Sequence, residues 1–137
     1  MQFRDLKSQY RALKPQMDEA ISKVLEASNY ISGAQVAELE EKLAAYVGVK
    51  HCITCGNGTD ALTLALMTWG IGEGDAVFVP DFTFFSSAET VAYEGATPVF
   101  VDVLEDTFNM DPDSLERAVK AVLAEGKLTP KVMVVVD

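Results

Sequence analysis

Gly56-Asn57-Gly58-Thr59-Asp60-Ala61-Leu62 stands where the apolar segment Ile53 to Cys55 gives way to the helical pattern of Thr59 to Trp69. An apolar strand, a glycine-containing turn and a helix in that order form a common phosphate-binding arrangement. The glycines let the backbone turn without Cβ clashes, and the free N–H groups of the helix's first turn, with its dipole, face an arriving anion. Thr59 adds a hydroxyl donor.

Outward from this turn the chain alternates. The pattern predicts strand His51–Cys55, helix Thr59–Trp69, strand Ala76–Val79, helix Ser86–Tyr93, strand Val99–Val101, helix Pro112–Ala124 and strand Val132–Val136. Such β-α repetition implies an α/β fold with a parallel sheet. The last strand is nearly all apolar, as one covered on both faces would be. Before His51 the character differs. Leu13, Met17, Ala20, Ile21, Val24 and Leu25 give a helical stripe from about Gln9 to Ala27 that must pack on something. Asn29 to Gly33 interrupts it, and Val36, Leu39, Leu43 and Val47 mark a second helix that Gly48 stops. The chain therefore divides into a helical segment over 1–48 and an α/β segment over 49–137.

The 137 residues are 49% hydrophobic, enough for a real core. Eleven basic against twenty-one acidic residues leave a net charge of −10, a surface that repels nucleic acid and anionic membrane, so bound phosphate must be held locally. No apolar run reaches the roughly 18 residues of a membrane span, and Met1 to Asp5 does not open a secretory signal, so the chain reads as cytoplasmic. Cys52 and Cys55 are spaced C-x-x-C, but a strand would send them to opposite faces. With His51 the single histidine, buried structural thiols are expected and no metal site. The acidic group Glu105, Asp106, Asp111 and Asp113 is read as helix capping and solvation, with Asp111 the N-cap and Pro112 the first helical residue.

In doubly wound sheets ligands bind beyond the carboxyl ends of the strands. The candidate site therefore combines Gly56–Asp60 with Pro80-Asp81-Phe82-Thr83-Phe84-Phe85-Ser86. Two chemistries compete for it. Gly56-x-Gly58-x-x-Ala61 fits a dinucleotide fingerprint, with Asp81 placed to hold a ribose of NAD. Alternatively the helix terminus takes the phosphate of pyridoxal phosphate (PLP) and Phe84 stacks on its pyridine ring. Spacing alone leaves both open, and for any one phenylalanine core packing is a simpler explanation.

Six segments in order along the chain resemble the start of the DegT/DnrJ/EryC1/StrS family of sugar aminotransferases. They are Phe3-Arg4-Asp5-Leu6-Lys7; Tyr30-Ile31-Ser32-Gly33 with Val36 and Glu38-Leu39-Glu40; Tyr46-Val47-Gly48-Val49-Lys50; Gly58-Thr59-Asp60-Ala61-Leu62; Pro80-Asp81-Phe82-Thr83-Phe84; and Gly95-Ala96-Thr97-Pro98-Val99-Phe100-Val101-Asp102. The resemblance implies the first part of the large domain of a fold type I PLP-dependent transferase, truncated, with its active site at a homodimer interface. It implies that Gly58, Thr59 and Asp60 hold the cofactor phosphate, through backbone N–H groups and the Thr59 hydroxyl, and that Phe84 covers the ring. Tyr30, Ser32 and Gly33 would lie near the entrance for a nucleotide-linked sugar.

The implied reaction is transfer of an amino group, with glutamate as donor, to a keto group of a nucleotide-linked sugar in amino-sugar and cell-surface polysaccharide biosynthesis. The segment Asn57–Leu62 and the opening helix resemble most the enzymes acting on UDP-linked 3-keto-acetamido-glucuronate. Some family members are dehydratases, in which histidine replaces the lysine. In the family, the lysine that bonds to the cofactor and the acid that protonates the pyridine nitrogen both fall after Asp137. No catalytic residue is therefore expected here, and the 137 residues alone are expected not to transaminate. In the parent sheet His51–Cys55 is separated from the other three strands, so a rearranged strand order, a swapped dimer or a longer enzyme is expected. A nicotinamide-binding domain and a non-catalytic assembly piece are the alternatives.

Overall fold

The computed structural model describes residues 3–136. They form two compact units, divided between Thr54 and Cys55.

The first unit holds helices α1 (Leu6–Ala27) and α2 (Ala34–Val47). α1 starts three residues before the apolar stripe suggests because Asp5 caps it. One carboxylate oxygen accepts the Ser8 N–H at 3.0 Å and the other the Ser8 hydroxyl at 2.6 Å. Ser28, in the left-handed region, ends α1, and Gly48 ends α2 at φ 78°, a conformation that suits glycine. The α1 stripe does not find the cover expected of it: none of its residues is buried.

Residues 51–55 are not a strand. They pair with nothing among the described residues, and an apolar segment without a hydrogen-bonding neighbour makes no ladder. Thr54 is tied instead to α2, where Glu40 Oε1 accepts its N–H at 2.8 Å and its hydroxyl at 2.9 Å. The Thr54 N–H and then its hydroxyl hold the Glu40 carboxyl below its ordinary range. A depressed folded-state pKa gives stability that is present above the ordinary value and lost as pH falls through the folded one. Glu40→Gln is therefore expected to lower the urea midpoint at pH 7 and to differ less from wild type at pH 3. A gap unchanged between the two pH values would contradict this role.

The second unit is a three-layer α/β arrangement. β1 (Asp75–Pro80) is central, flanked in parallel by β2 (Thr97–Val101) and β3 (Thr129–Met133), giving the order β2-β1-β3. β1 is apolar and buried from Ala76 to Pro80, as a strand covered on both faces must be. Its alternation sorts the core. Val77 packs with Leu66, Ile71, Val91 and Ala96 under α3 (Gly58–Thr68) and α4 (Ser86–Tyr93), while Ala76 and Phe78 pack with Val101 and Val122 under α5 (Pro112–Glu125). Asp111 caps α5 through the Asp113 N–H at 2.9 Å.

β3 lies earlier than its apolar run suggests, and its exposure alternates rather than being covered on both faces. The ladder begins where the Thr129 N–H meets the Gly74 carbonyl and makes its last bond from the Val134 N–H to Phe78. β1 ends at Pro80, which has no N–H to donate, so Val135 and Val136 run on past the sheet. The thiols also differ from expectation: Cys52 is half-buried and Cys55 exposed, both free, because no strand carries them into a sheet. No helix of the described residues is long and apolar enough to cross a membrane.

Candidate functional site

α3 begins at the turn. Asn57 is its N-cap, extended at φ −165° and ψ 176°; its Oδ1 accepts the Asp60 N–H at 2.9 Å and its Nδ2 donates to Asp60 Oδ2 at 3.1 Å. The Asn57 carbonyl takes the Ala61 N–H and the Cys55 thiol, both at 3.2 Å. Asparagine before a helical run is a strong capping signal, and it is the element of this turn that glycine spacing conceals.

The cap decides which donors remain. The first N–H groups of a helix have no intrahelical partner, and among the described residues those of Gly58 and Thr59 make no hydrogen bond, whereas that of Asp60 is engaged by Asn57. The glycines serve by size rather than by conformation, since neither Gly56 nor Gly58 has positive φ. A Cβ on Gly58 would have nothing within 4 Å, so the backbone there is open to close approach, while one on Gly56 would lie 2.9 Å from Asp60 Oδ2. Asn57→Ala is expected to destabilise the α/β unit by about 1 kcal/mol. Urea denaturation checks this, and an unchanged midpoint would mean the cap is idle.

Gly58 and Thr59 open onto a cleft of about 610 Å³, shared with Thr83, Phe84, Ser86 and Ser87 and with Val134, Val135 and Val136. The loop after β1 supplies the far wall. Its Asp81 N–H donates to the Val101 carbonyl at 2.9 Å, and Thr83 Oγ1 and Ser87 Oγ lie 3.0 Å apart. The Phe84 ring stays 77% exposed rather than joining the core. One wall thus offers hydrogen-bond donors at a helix terminus, another an aromatic face and the third an apolar chain: a site for a flat ring carrying an anion.

Of the residues singled out from sequence, Gly58, Thr59, Thr83, Phe84 and Ser86 share this cleft; Asp60 turns its N–H and carboxylate to Asn57, and Asp81 is not part of the lining. Ser87 and Val134 to Val136 were not foreseen. Ser87 follows from the start of α4, but the valines depend on where β1 ends. Tyr30, Ser32 and Gly33 form the turn between α1 and α2 in the first unit. Tyr30 is exposed, with its hydroxyl 3.5 Å from the Leu25 carbonyl; Ser32 is left-handed at φ 49°; Gly33 is buried as the N-cap of α2. A Cβ on Gly33 would crowd the Asn29 carbonyl and the Gln35 side chain, each at 3.0 Å.

The sequence model of the DegT/DnrJ/EryC1/StrS aminotransferase family matches residues 11–127. The chain belongs to this family. It is 49% identical over 119 residues to the UDP-2-acetamido-2-deoxy-3-oxo-D-glucuronate aminotransferase of Pseudomonas aeruginosa, covering 87% of this chain and 33% of that one. A crystal structure of a family aminotransferase from Brucella abortus superposes with TM-score 0.95 at 53% identity, over all of this chain and 37% of that one. A Streptococcus pneumoniae protein in its PLP form superposes with TM-score 0.70 at 34% identity, over 82% of this chain and 28% of that one. The chain thus spans about a third of the length of the curated relatives it matches, and its family fold is that of the PLP-dependent aminotransferases.

Proposed function

We propose that this chain is the cofactor-phosphate-binding part, the first stretch of the large domain over residues 49–137, of a PLP-dependent aminotransferase. The enzyme acts on a keto group of a nucleotide-linked sugar in amino-sugar and polysaccharide biosynthesis. The observation that carries the reading is the pairing, across one cleft, of the unpartnered Gly58 and Thr59 N–H groups with the exposed Phe84 ring. Family membership and the P. aeruginosa relative support UDP-linked 3-keto-acetamido-glucuronate as the first substrate to test, with glutamate as donor.

The residues present fit the cofactor. Gly58 leaves its backbone open, two helix-terminal N–H groups and the Thr59 hydroxyl suit a phosphate, and Phe84 suits the ring face. When bound, PLP supplies the electron sink for amino-group transfer. This chain's residues bind and orient: Gly58 and Thr59 hold the anionic end, Phe84 covers the ring, and Val134 to Val136 keep water from one side. Asp60 joins the phosphate contacts by exchanging its N–H from Asn57. The lysine and the pyridine-nitrogen acid are not among these residues, so the 137 residues alone bind without transaminating. Tyr30, Ser32 and Gly33 are assigned to the sugar-nucleotide entrance. The enzyme is assigned as a cytoplasmic homodimer.

Equilibrium dialysis against PLP and against NAD, separately, tests the reading. Retention of PLP, displaced by excess pyridoxamine phosphate, with no retention of NAD, is expected. Retention of NAD alone would overturn it in favour of a nicotinamide site, for which Asp81 would have to swing into the cleft.

A further inference from the structure

Three non-glycine residues among those described have positive φ: Ser28, Ser32 and Phe108. Small polar residues visit this region at helix ends and turns, but for a bulky aromatic it is an outlier that needs a reason. Phe108, at φ 59°, lies in a short hairpin between β2 and α5. There Val103 pairs with Met110, the Leu104 N–H donates to Asn109 and the Phe108 N–H donates to Leu104, both at 2.9 Å. Left-handed positions in such loops favour glycine or asparagine. An asparagine stands at the very next position and is not the residue used.

What the left-handed backbone achieves is contact. It sets the Phe108 ring centroid 5.2 Å from that of Phe82, the planes 36° apart, within the range of a favourable aromatic pair. Phe82 belongs to the loop that presents Phe84. That loop is fastened on one side by the Asp81 N–H to Val101 and on the other by Thr83 to Ser87. Between these fasteners the Phe82 side chain is 64% exposed and its aromatic partner is Phe108.

We propose that Phe108 is a positioning residue for the cleft: held by its left-handed turn, it clamps Phe82 and so sets the Phe84 ring opposite Gly58 and Thr59. The inference rests on the cofactor reading of that cleft. Phe108→Gly suits the backbone and removes the ring, Phe108→Tyr keeps the ring, and Phe82→Leu removes the other half of the pair.

The probe is pyridoxamine 5'-phosphate, which has no aldehyde to react with surface lysines, followed by its dissociation constant and by the circular dichroism induced in its absorption band. Phe108→Gly and Phe82→Leu are each expected to weaken binding about five-fold and to reduce the induced signal, and the double variant is expected to be no worse than either alone. Phe108→Tyr is expected to restore both readouts, and competition by inorganic phosphate, held by Gly58 and Thr59, to be unchanged. If wild type binds and both ring-removing variants match it in affinity and dichroism, the positioning role is wrong and the cleft reading stands. If wild type does not bind the probe, both fail.

Discussion

Thr59→Val is expected to weaken PLP binding by about ten- to a hundred-fold while leaving the fold intact. The substitution keeps the β-branched shape and removes one oxygen. A hydrogen bond to a charged group is worth about 1.5–3 kcal/mol, and each 1.4 kcal/mol is about ten-fold in affinity. Within the protein the Thr59 hydroxyl makes no hydrogen bond among the described residues, so its removal strands no internal partner and any loss belongs to the ligand. Fluorescence of Trp69, which sits at the far end of the same helix, follows the titration. Affinity equal to wild type, with an unchanged denaturation midpoint, would place the phosphate elsewhere.

Phe78→Ala is the substitution expected to damage the fold most, by about 3–5 kcal/mol. Phe78 is 3% exposed at the middle of β1, packed with Ala76, Val101 and Val122 under α5, and its carbonyl accepts the Val134 N–H at 2.8 Å. Removing the ring leaves a cavity between sheet and helix that the two flanking strands, each hydrogen-bonded to β1, cannot close. Against a domain stability of about 5–15 kcal/mol, the loss takes much of the margin. Phe100→Ala, on β2 and 61% exposed, is the control and is expected to cost under about 1 kcal/mol. Equal losses at the two positions in urea denaturation would mean that the β1–α5 interface does not carry the core.

Elements with periodic patterns and explicit punctuation were legible. Asp111-Pro112 announced α5, Gly48 closed α2, and the apolar run Ala76–Val79 marked a strand. What stayed hidden depends on neighbours distant in sequence. His51–Cys55 has the composition of a strand, but strands exist by pairing, and no described residue pairs with it. The place of β3 was set by the reach of β1, whose closing proline leaves Val135 and Val136 to line a cleft instead of extending a ladder. In the site, the glycines and Thr59 could be read as a phosphate turn, and the loop after β1 as its aromatic counterpart. The cap at Asn57 changes the detail: it takes the Asp60 N–H, so the donors left without a partner among the described residues are those of Gly58 and Thr59. The Phe82–Phe108 pair joins residues 26 positions apart through a left-handed backbone, which no local pattern signals.

The most direct measurement is the amide chemical-shift map of the ¹⁵N-labelled protein during titration with pyridoxamine 5'-phosphate. The largest saturable shifts are predicted at the Gly58 and Thr59 N–H groups, with a smaller one at Asp60 as Asn57 yields it, and with shifts along 83–87 as the ring meets Phe84. Shifts scattered over lysine-bearing surfaces, with Gly58 and Thr59 unmoved at saturation, would contradict the assignment of this helix terminus as the cofactor's phosphate site.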